Sequence, residues 1–343
     1  MVLATRPPIL LVGYLAAITF GYAAGAPPSR LSSNEALNLP LRWDAGWYLG
    51  IAANGYGRRA NAEGQQNIVF FPAYPMAVRA VGRLFGGTLG GQVVAGLLIS
   101  HLAFLCALVY LYALARDTLD EDHARYALWL VGCYPFAVFF GAVYTESLFL
   151  LAATGTFFHF SRRQFWPAAG WGLLLGLTRP QGCLLSIPLA LMAFRRPNWK
   201  AVATAAAPGV GMLIYSGFIW RLTGDPFAWV AGQAAWSHRS GPFDIRDYTD
   251  VLNDLGVAFG LVAVWPVARR FGAAYALFIL VSVLPALATH GPVSAGRYSA
   301  VLFPAFLWFA DVVPKPQRSL WLAIFSVLQA VIAALFYSGR AMY

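Results

Sequence analysis

Charge is scarce in this sequence. Asp, Glu, Lys and Arg together make up 11% of its 343 residues, against roughly 25% in a soluble globular domain. With 59% hydrophobic residues and a mean hydropathy of +0.61, that scarcity excludes a soluble enzyme and leaves an integral membrane protein. Cysteine is nearly missing as well. Cys106, Cys133 and Cys183 each lie inside an apolar run without metal-ligand spacing, so neither a disulfide framework nor a zinc site is on offer. There is no P-loop, no GxGxxG and no DxD pair, which removes the common signatures of nucleotide handling. Apolar runs recur from end to end and leave no stretch for a separate soluble domain, so residues 1–343 read as one membrane domain. Acid is the scarcer sign: 14 Asp and Glu against 24 Lys and Arg give a net charge of +10. In a membrane protein such an excess fixes loop topology and meets anionic substrates.

At about 20 residues per crossing, the runs predict an all-α polytopic protein with about eleven transmembrane helices. The expected spans are 8–25, 91–115, 125–142, 146–160, 166–178, 182–194, 201–220, 249–267, 273–289, 297–312 and 319–337. The pair 166–178 and 182–194 is short enough to be one broken or re-entrant unit. The first run, with Ala23-Ala24-Gly25-Ala26 after it, has two readings, a cleaved signal peptide or an uncleaved first helix; its length favours the helix. Arg6, Arg116, Arg162–Arg163, Arg195–Arg196 with Lys200, Arg269–Arg270, and Lys315 with Arg318 fall at alternate ends of the runs and assign those ends to the cytoplasm. The outer side then receives 26–90, a turn at Tyr144–Glu146, Thr178–Gly182, the loop 221–248, Thr289–Gly296 and the C-terminus. Residues 70–86 are apolar enough to span, but a crossing there would invert every later loop. Pro75 suits the start of a helix, and Arg79 and Arg83 share one face, so the stretch reads as an interfacial helix on the outer leaflet.

Nearly every unusual polar cluster thereby lies on one side, whereas the opposite loops are plain. Each cluster has two readings. Asp44, in RWDAGWYLGIAANGY (Arg42–Tyr56), is either the N-cap of a helix from Ala45 to about Ala53, closed by Asn54–Gly55, or a catalytic carboxylate. In the capping case Trp47 and Ile51, four apart, would pack toward the membrane. Glu146 either caps the helix that follows or works beside Asp44. Arg179, before a proline, either marks a helix end or binds an anion. His290 and Arg297 flank a Gly/Pro/Ser turn and can hold a phosphate. Trp229, Trp236 and His238 form a platform for a sugar or sit in the interfacial aromatic belt. His101 and His159, inside apolar runs, read as hydrogen-bonded packing residues.

In order along the chain, RWDAGWYLGIAANGY, FFPAYP, YTESLF, TRPQG, QAAWSHR and GRYSAVLFPAF resemble the PIG-V family of polyprenyl-phosphate-dependent mannosyltransferases in the GT-C superfamily. The resemblance implies a GT-C membrane fold with juxtamembrane helices in a large first outer loop (26–90) and a second outer loop at 221–248. It implies Asp44 as catalytic base, a polyprenyl-phosphate sugar donor, most readily mannose, and transfer with inversion to a hydroxyl of a glycolipid, glycan or protein acceptor. TRPQG (Thr178–Gly182) departs from the Arg-Ser-Asn-Gly stretch frequent in the family. The length favours a bacterial homologue, in the plasma membrane with its site on the outer face, rather than one in the endoplasmic reticulum. Within that scheme Arg297, His290 and Arg239, followed by Arg179 and Arg79, are the donor-phosphate residues. Glu146 is the second acid, and Trp43, Tyr48, Tyr144, Gln181, Gln233, Trp236 and His238 are candidates for contact with sugar or acceptor. No cofactor is required, although Asp44 and Glu146 can share a divalent ion. Two other classes stay open, a flippase for a lipid-linked saccharide and a non-catalytic subunit of a glycosyltransferase. No nucleic-acid partner is expected.

Overall fold

The structure, a computed structural model, describes residues 1–23, 30–57, 64–195, 197–236, 248–288 and 295–340. Among them there are helices and 3-10 turns and no strand. Helix α1 (Val2–Phe20) leads to the first large loop, where two 3-10 turns (Glu35–Leu37 and Leu39–Leu41) deliver the chain to α2 (Ala45–Asn54). Gly55, at φ 81, ends α2 in a conformation that favours glycine. A 3-10 turn (Asn67–Val69) and α3 (Ala73–Gly82) follow. The long α4 (Leu89–Arg116) then starts where the Thr88 hydroxyl accepts the Gly91 N–H. Helix α5 (Glu121–Cys133) is capped by Asp120 and gives way to a 3-10 segment (Pro135–Gly141) bent from it by 79°. The remaining helices are α6 (Glu146–Ser161), α7 (Phe165–Gly176), α8 (Ser186–Arg195), α9 (Trp199–Thr223), α10 (Ala228–Gly232), α11 (Tyr248–Arg270), α12 (Ala273–Ala288), α13 (Ala295–Ser299), α14 (Phe303–Val312) and α15 (Arg318–Tyr337).

Each of the eleven expected spans coincides with α-helix or 3-10 helix, several of them shorter than a single straight crossing. Among the described residues five helices are long and apolar enough to cross a membrane: Val2–Phe20, Leu89–Arg116, Trp199–Thr223, Val251–Arg270 and Lys315–Tyr337. Joining α5 to its bent 3-10 segment makes a sixth. The weak pair is indeed broken: α7 and α8 are separated by a 3-10 segment, Pro180–Leu185, that begins at the proline after Arg179. The span expected over 297–312 is divided between α13 and α14.

One expectation about the N-terminal quarter needs revision. Arg6 is no loop residue. It is buried in α1 and its guanidinium donates to the carbonyls of Gly132 (2.5 Å) and Ala137, so it serves packing rather than topology. Helix α1 is built into the bundle, with Gly13 lying so close to the Tyr337 ring of α15 that a Cβ there would collide. Helix α3, ten residues or about 15 Å long, is too short to span. It runs antiparallel along the first turns of α4, with Gly82 against Gln92 and the Tyr74 hydroxyl donating to Gly96 O at 2.9 Å.

Small residues set the closest helix contacts. Gly172 and Gly176 of α7 lie directly against Pro208 of α9, and Gly211 lies against Leu173 O, the small-residue packing that lets membrane helices approach. Together with the α4–α6 contact, this fixes the beginning of α6 and the end of α7 beside α2. Three chain segments distant in sequence thereby meet at one end of the bundle.

Candidate active site

Asp44 is positioned by anchors on both sides. The guanidinium of buried Arg42 donates to Tyr337 O (3.0 Å), Asn38 O (3.1 Å), Glu35 (2.8 Å) and the Tyr22 hydroxyl. Burial alone would raise the Glu35 carboxyl, but hydrogen bonds from Tyr22, Arg42 and Asn38 hold it below the usual range. Trp43 takes φ 55, one of two non-glycine residues with positive φ among those described. Its indole donates to Phe336 O at 3.2 Å. Such a backbone costs on the order of 1–3 kcal/mol and persists where its surroundings over-determine it. The result is that Asp44 starts α2 with helical angles (φ −58, ψ −19) and its side chain caps nothing. The cap reading therefore fails, and the carboxylate is left for other work.

That carboxylate meets Arg297 Nη1 of α13 at 2.5 Å. Arg297 Nε lies 3.6 Å from Glu146, and Glu146 in turn pairs with Arg179 Nη2. Four groups thus alternate in sign: Asp44, Arg297, Glu146, Arg179. Asp44 and Arg297 keep 15% of their side-chain surface, whereas Glu146 has none. Glu146 stands in the first turn of α6 but is buried against arginines rather than exposed as a cap. Arg179 does end a helix, in the extended backbone that a following proline demands (φ −155, ψ 156), and that geometry is what aims it at Glu146. Its Nε donates to Thr145 Oγ1 at 2.6 Å. Gly182, shared with the family pattern, has no room for a Cβ against Leu175 O. Arg297 is placed by Gly296, whose N–H donates to Asn253 Oδ1 at 2.8 Å, and by Ser299, 2.7 Å from the Tyr134 hydroxyl. Two buried polar positions stay open here: Glu146 Oε2 and Arg297 Nε have no hydrogen-bond partner among the described residues.

The aromatic candidates work beneath the carboxylates. Tyr144 is buried; its hydroxyl donates to Arg42 O (3.3 Å) and accepts the Asp44 N–H (3.1 Å). Tyr48, 3.4 Å from Thr145 Oγ1, packs on Phe70, Tyr74 and Tyr144. Burial, helped by the Asp44 carboxylate, pushes its phenol well up, so it stays neutral. Ile51 is fully buried and Trp47 stacks on Phe70 with ring centroids 5.7 Å apart, so both pack into the protein rather than toward the membrane. Trp229 is buried in a local cluster, its indole donating to Ser216 at 3.0 Å.

Other candidates stand elsewhere. Arg79 approaches Gly55, about 15 Å along α2 from Asp44. Gln181 is half-buried in the 3-10 segment after Arg179. Gln233 follows Gly232, which packs on Val69, and so stands by the 67–69 turn. Trp236 closes a 3-10 turn, and its side chain lies outside the described residues, as do His238, Arg239 and His290. His101 and His159 are hydrogen-bonded as expected, to Leu97 O (2.8 Å) and to Tyr110 (3.0 Å) with Gln164 (2.6 Å). Among the described residues no three His, Cys, Asp or Glu gather to hold a metal ion. Sequence reasoning gave Arg42 no role, because nothing local separates it from a topology arginine. Thr145 reads locally as a cap, and its contact with Arg179 spans 34 residues.

Known proteins can now be set beside this geometry. The chain is similar in structure to the oligosaccharyltransferase of Archaeoglobus fulgidus in its apo form, at 12% identity and a TM-score of 0.50, covering 98% of this chain and 56% of that one. The same enzyme tethered with an acceptor peptide gives 13% identity and a TM-score of 0.49, covering 98% and 55%. The chain therefore spans about half the length of these structures. The likeness shows the fold, an all-α membrane protein of GT-C type. No curated protein sequence matches. A profile of the mannosyltransferase (PIG-V) family matches residues 14–191, just over half of the chain, and takes in Asp44, Glu146 and Arg179; the chain belongs to that family.

Proposed function

We propose that the protein transfers a sugar, most readily mannose, from a polyprenyl-phosphate donor to an acceptor hydroxyl, with inversion at the anomeric carbon. The observation that carries this reading is Asp44: a carboxylate at a helix start that makes no cap and is held instead against Arg297. In the resting site Arg297 neutralises Asp44. When a donor phosphate enters, its oxygens compete for the guanidinium, which binds phosphate in bidentate fashion. The Asp44 carboxylate is then released to accept a proton. The acceptor oxygen attacks the anomeric carbon as its proton passes to Asp44 Oδ2. The bond from that carbon to the phosphate oxygen breaks, and the electron pair leaves with the polyprenyl phosphate. A β-linked donor so gives an α product. Such a base contributes typically ~10²–10⁴-fold. Fixed guanidinium charge beside the leaving oxygens adds electrostatic stabilisation. The open positions at Glu146 Oε2 and Arg297 Nε suit a sugar hydroxyl and a phosphate oxygen, respectively.

A lipid-borne donor is supported by a second feature. An apolar cleft of about 470 Å³, lined by Val251, Leu252, Val331 and Leu335, opens between α11 and α15. Asn253, next along α11, holds the Gly296 N–H immediately before Arg297. A prenyl tail in that cleft brings its phosphate to the arginine. The scheme requires no cofactor, because Arg297 already bridges the two carboxylates that would share an ion. The site then works at the outer face of a multi-pass membrane protein.

The test is the purified chain in lipid nanodiscs with polyprenyl-phosphate-mannose and a mixture of mannoside acceptors. Sugar transfer by the chain alone supports the reading. Movement of intact donor between leaflets without transfer identifies a flippase, and transfer only with added subunits identifies a non-catalytic component.

A further inference from the structure

A cavity of about 390 Å³ lies along α2, lined by Gly46, Trp47, Gly50, Ile51, Asn54, Gly55, Tyr56 and the segment Gln65–Asn67. Its volume is within the range of small-molecule sites, roughly 300–1,000 Å³. None of Asp44, Arg297, Glu146 and Arg179 lines it. The catalytic scheme gives it no task.

The polar side chains of its described lining are mostly of one chemical kind. Among the described residues it includes no Asp, Glu, Lys or Arg, and the Arg79 guanidinium reaches only the Gly55 end. The polar groups are carboxamides, Asn54, Gln65, Gln66 and Asn67. Asn67 is engaged in closing the turn, donating to Gly55 O at 3.2 Å. The side-chain amides of Asn54, Gln65 and Gln66 make no hydrogen bond among the described residues. A carboxamide both donates and accepts, as does a sugar hydroxyl, whereas a phosphate or carboxylate ligand calls for cations. The aromatic walls are fixed: Trp47 stacks on Phe70, and the Tyr56 hydroxyl donates to Phe70 O at 2.7 Å. A Cβ on Gly46 or Gly50 would meet nothing within 4 Å. The floor is therefore bare helix backbone that a sugar ring can approach closely.

The cavity also has a direction. Gly46, Gly50 and Asn54 recur every four residues on one face and run for about 12 Å. The run begins two residues after Asp44.

We propose that this cavity is the acceptor subsite and takes a saccharide of at least two rings, laid along α2 with its reacting hydroxyl at the Asp44 end. The placement of that hydroxyl rests on the proposed transfer reaction; saccharide binding in the cavity does not. The carboxamides recognise ring hydroxyls, the glycines admit the ring, and Trp47 and Tyr56 border its apolar faces.

Gly50→Leu tests this with little risk to the fold, since its side chain enters open space and leucine is the better helix former. Mannotriose is the probe, followed by ligand-observed NMR on the nanodisc protein, without donor. The wild-type chain binds it saturably. Gly50→Leu weakens binding by at least about tenfold. The Asn54→Ala–Gln66→Ala double variant, which leaves the helix floor alone, also weakens it. Gly217→Leu on α9, equally unobstructed, does not. With donor present, Gly50→Leu raises the acceptor KM by a comparable factor. Absence of binding to the wild-type chain, binding unaffected by both cavity variants, or saturation by an uncharged peptide in place of mannotriose overturns the assignment. Saccharide binding that is lost in Gly50→Leu, in a chain that never turns over donor, supports the cavity and overturns the transfer reaction.

Discussion

The two ends of the bundle use the same ion-pairing residues in opposite ways. At the end far from Asp44, Arg270 pairs with Asp311 (2.7 Å), Arg162 with Asp117 (2.8 Å), and Arg318 and Lys315 share Asp122 (2.8 and 3.0 Å). The acids there keep 25–55% of their side-chain surface. They join helix ends, and their carboxylates stay open to water. At the Asp44 end Asp44 keeps 15% and Glu146 none, and each faces a guanidinium that is itself 15% exposed or less. Exposed pairs are worth about 0–1 kcal/mol. A buried charge must be matched or it is strongly unfavourable, so a buried chain of four is weak evidence of net stabilisation. That contrast sets Asp44, Arg297, Glu146 and Arg179 apart from the ion pairs at the far end.

Single substitutions can sharpen or break the contrast. The largest effect on folding is expected for Glu146→Gln, which leaves the Arg179 guanidinium buried without its counter-charge, a loss of about 3–5 kcal/mol. Chemical unfolding in detergent reads it; a loss below about 1 kcal/mol would put this pair in the same class as the exposed ones. At the opposite end Asp311→Asn should cost no more than about 1 kcal/mol by the same measurement. Smaller still is the effect of acid on Asp120. The His123 N–H and imidazole hold its carboxyl down at about 2. Because the folded value lies below the unfolded one, of about 3.9, its contribution is complete above that value and is lost as pH falls toward 2. Asp120→Asn should therefore flatten a slight acid decline in melting temperature and change nothing at neutral pH. A neutral-pH loss matching that of Glu146→Gln would erase the distinction between the two ends.

Much of this was legible in the sequence, and the limits have physical causes. The positions of the helices follow from hydropathy, and the broken α7–α8 pair follows from TRPQG. Their power to cross does not, because a run of apolar residues gives no measure of where a 79° bend or a proline divides it. Asp44, Glu146, Arg179 and Arg297 were all nameable from local chemistry and resemblance. Their order in the ion chain was not, since Asp44 and Arg297 are 253 residues apart. Trp43, Tyr48 and Tyr144 look from sequence like surfaces for a sugar; what sequence does not show is that the Tyr144 hydroxyl accepts the Asp44 N–H and the Trp43 indole is tied to Phe336 O. Gly46, Gly50 and Asn54 read only as parts of a short helix, because a cavity is made by what packs around a helix and not by the helix itself.

The central claim is that Asp44 moves a proton and caps nothing. Asparagine caps helices about as well as aspartate but cannot take the proton. Transfer rate and melting temperature measured together on Asp44→Asn test the claim most directly. The account expects transfer to fall by ~10²–10⁴-fold while the protein stays folded. Transfer within a few-fold of the wild-type chain would contradict it and move the base elsewhere.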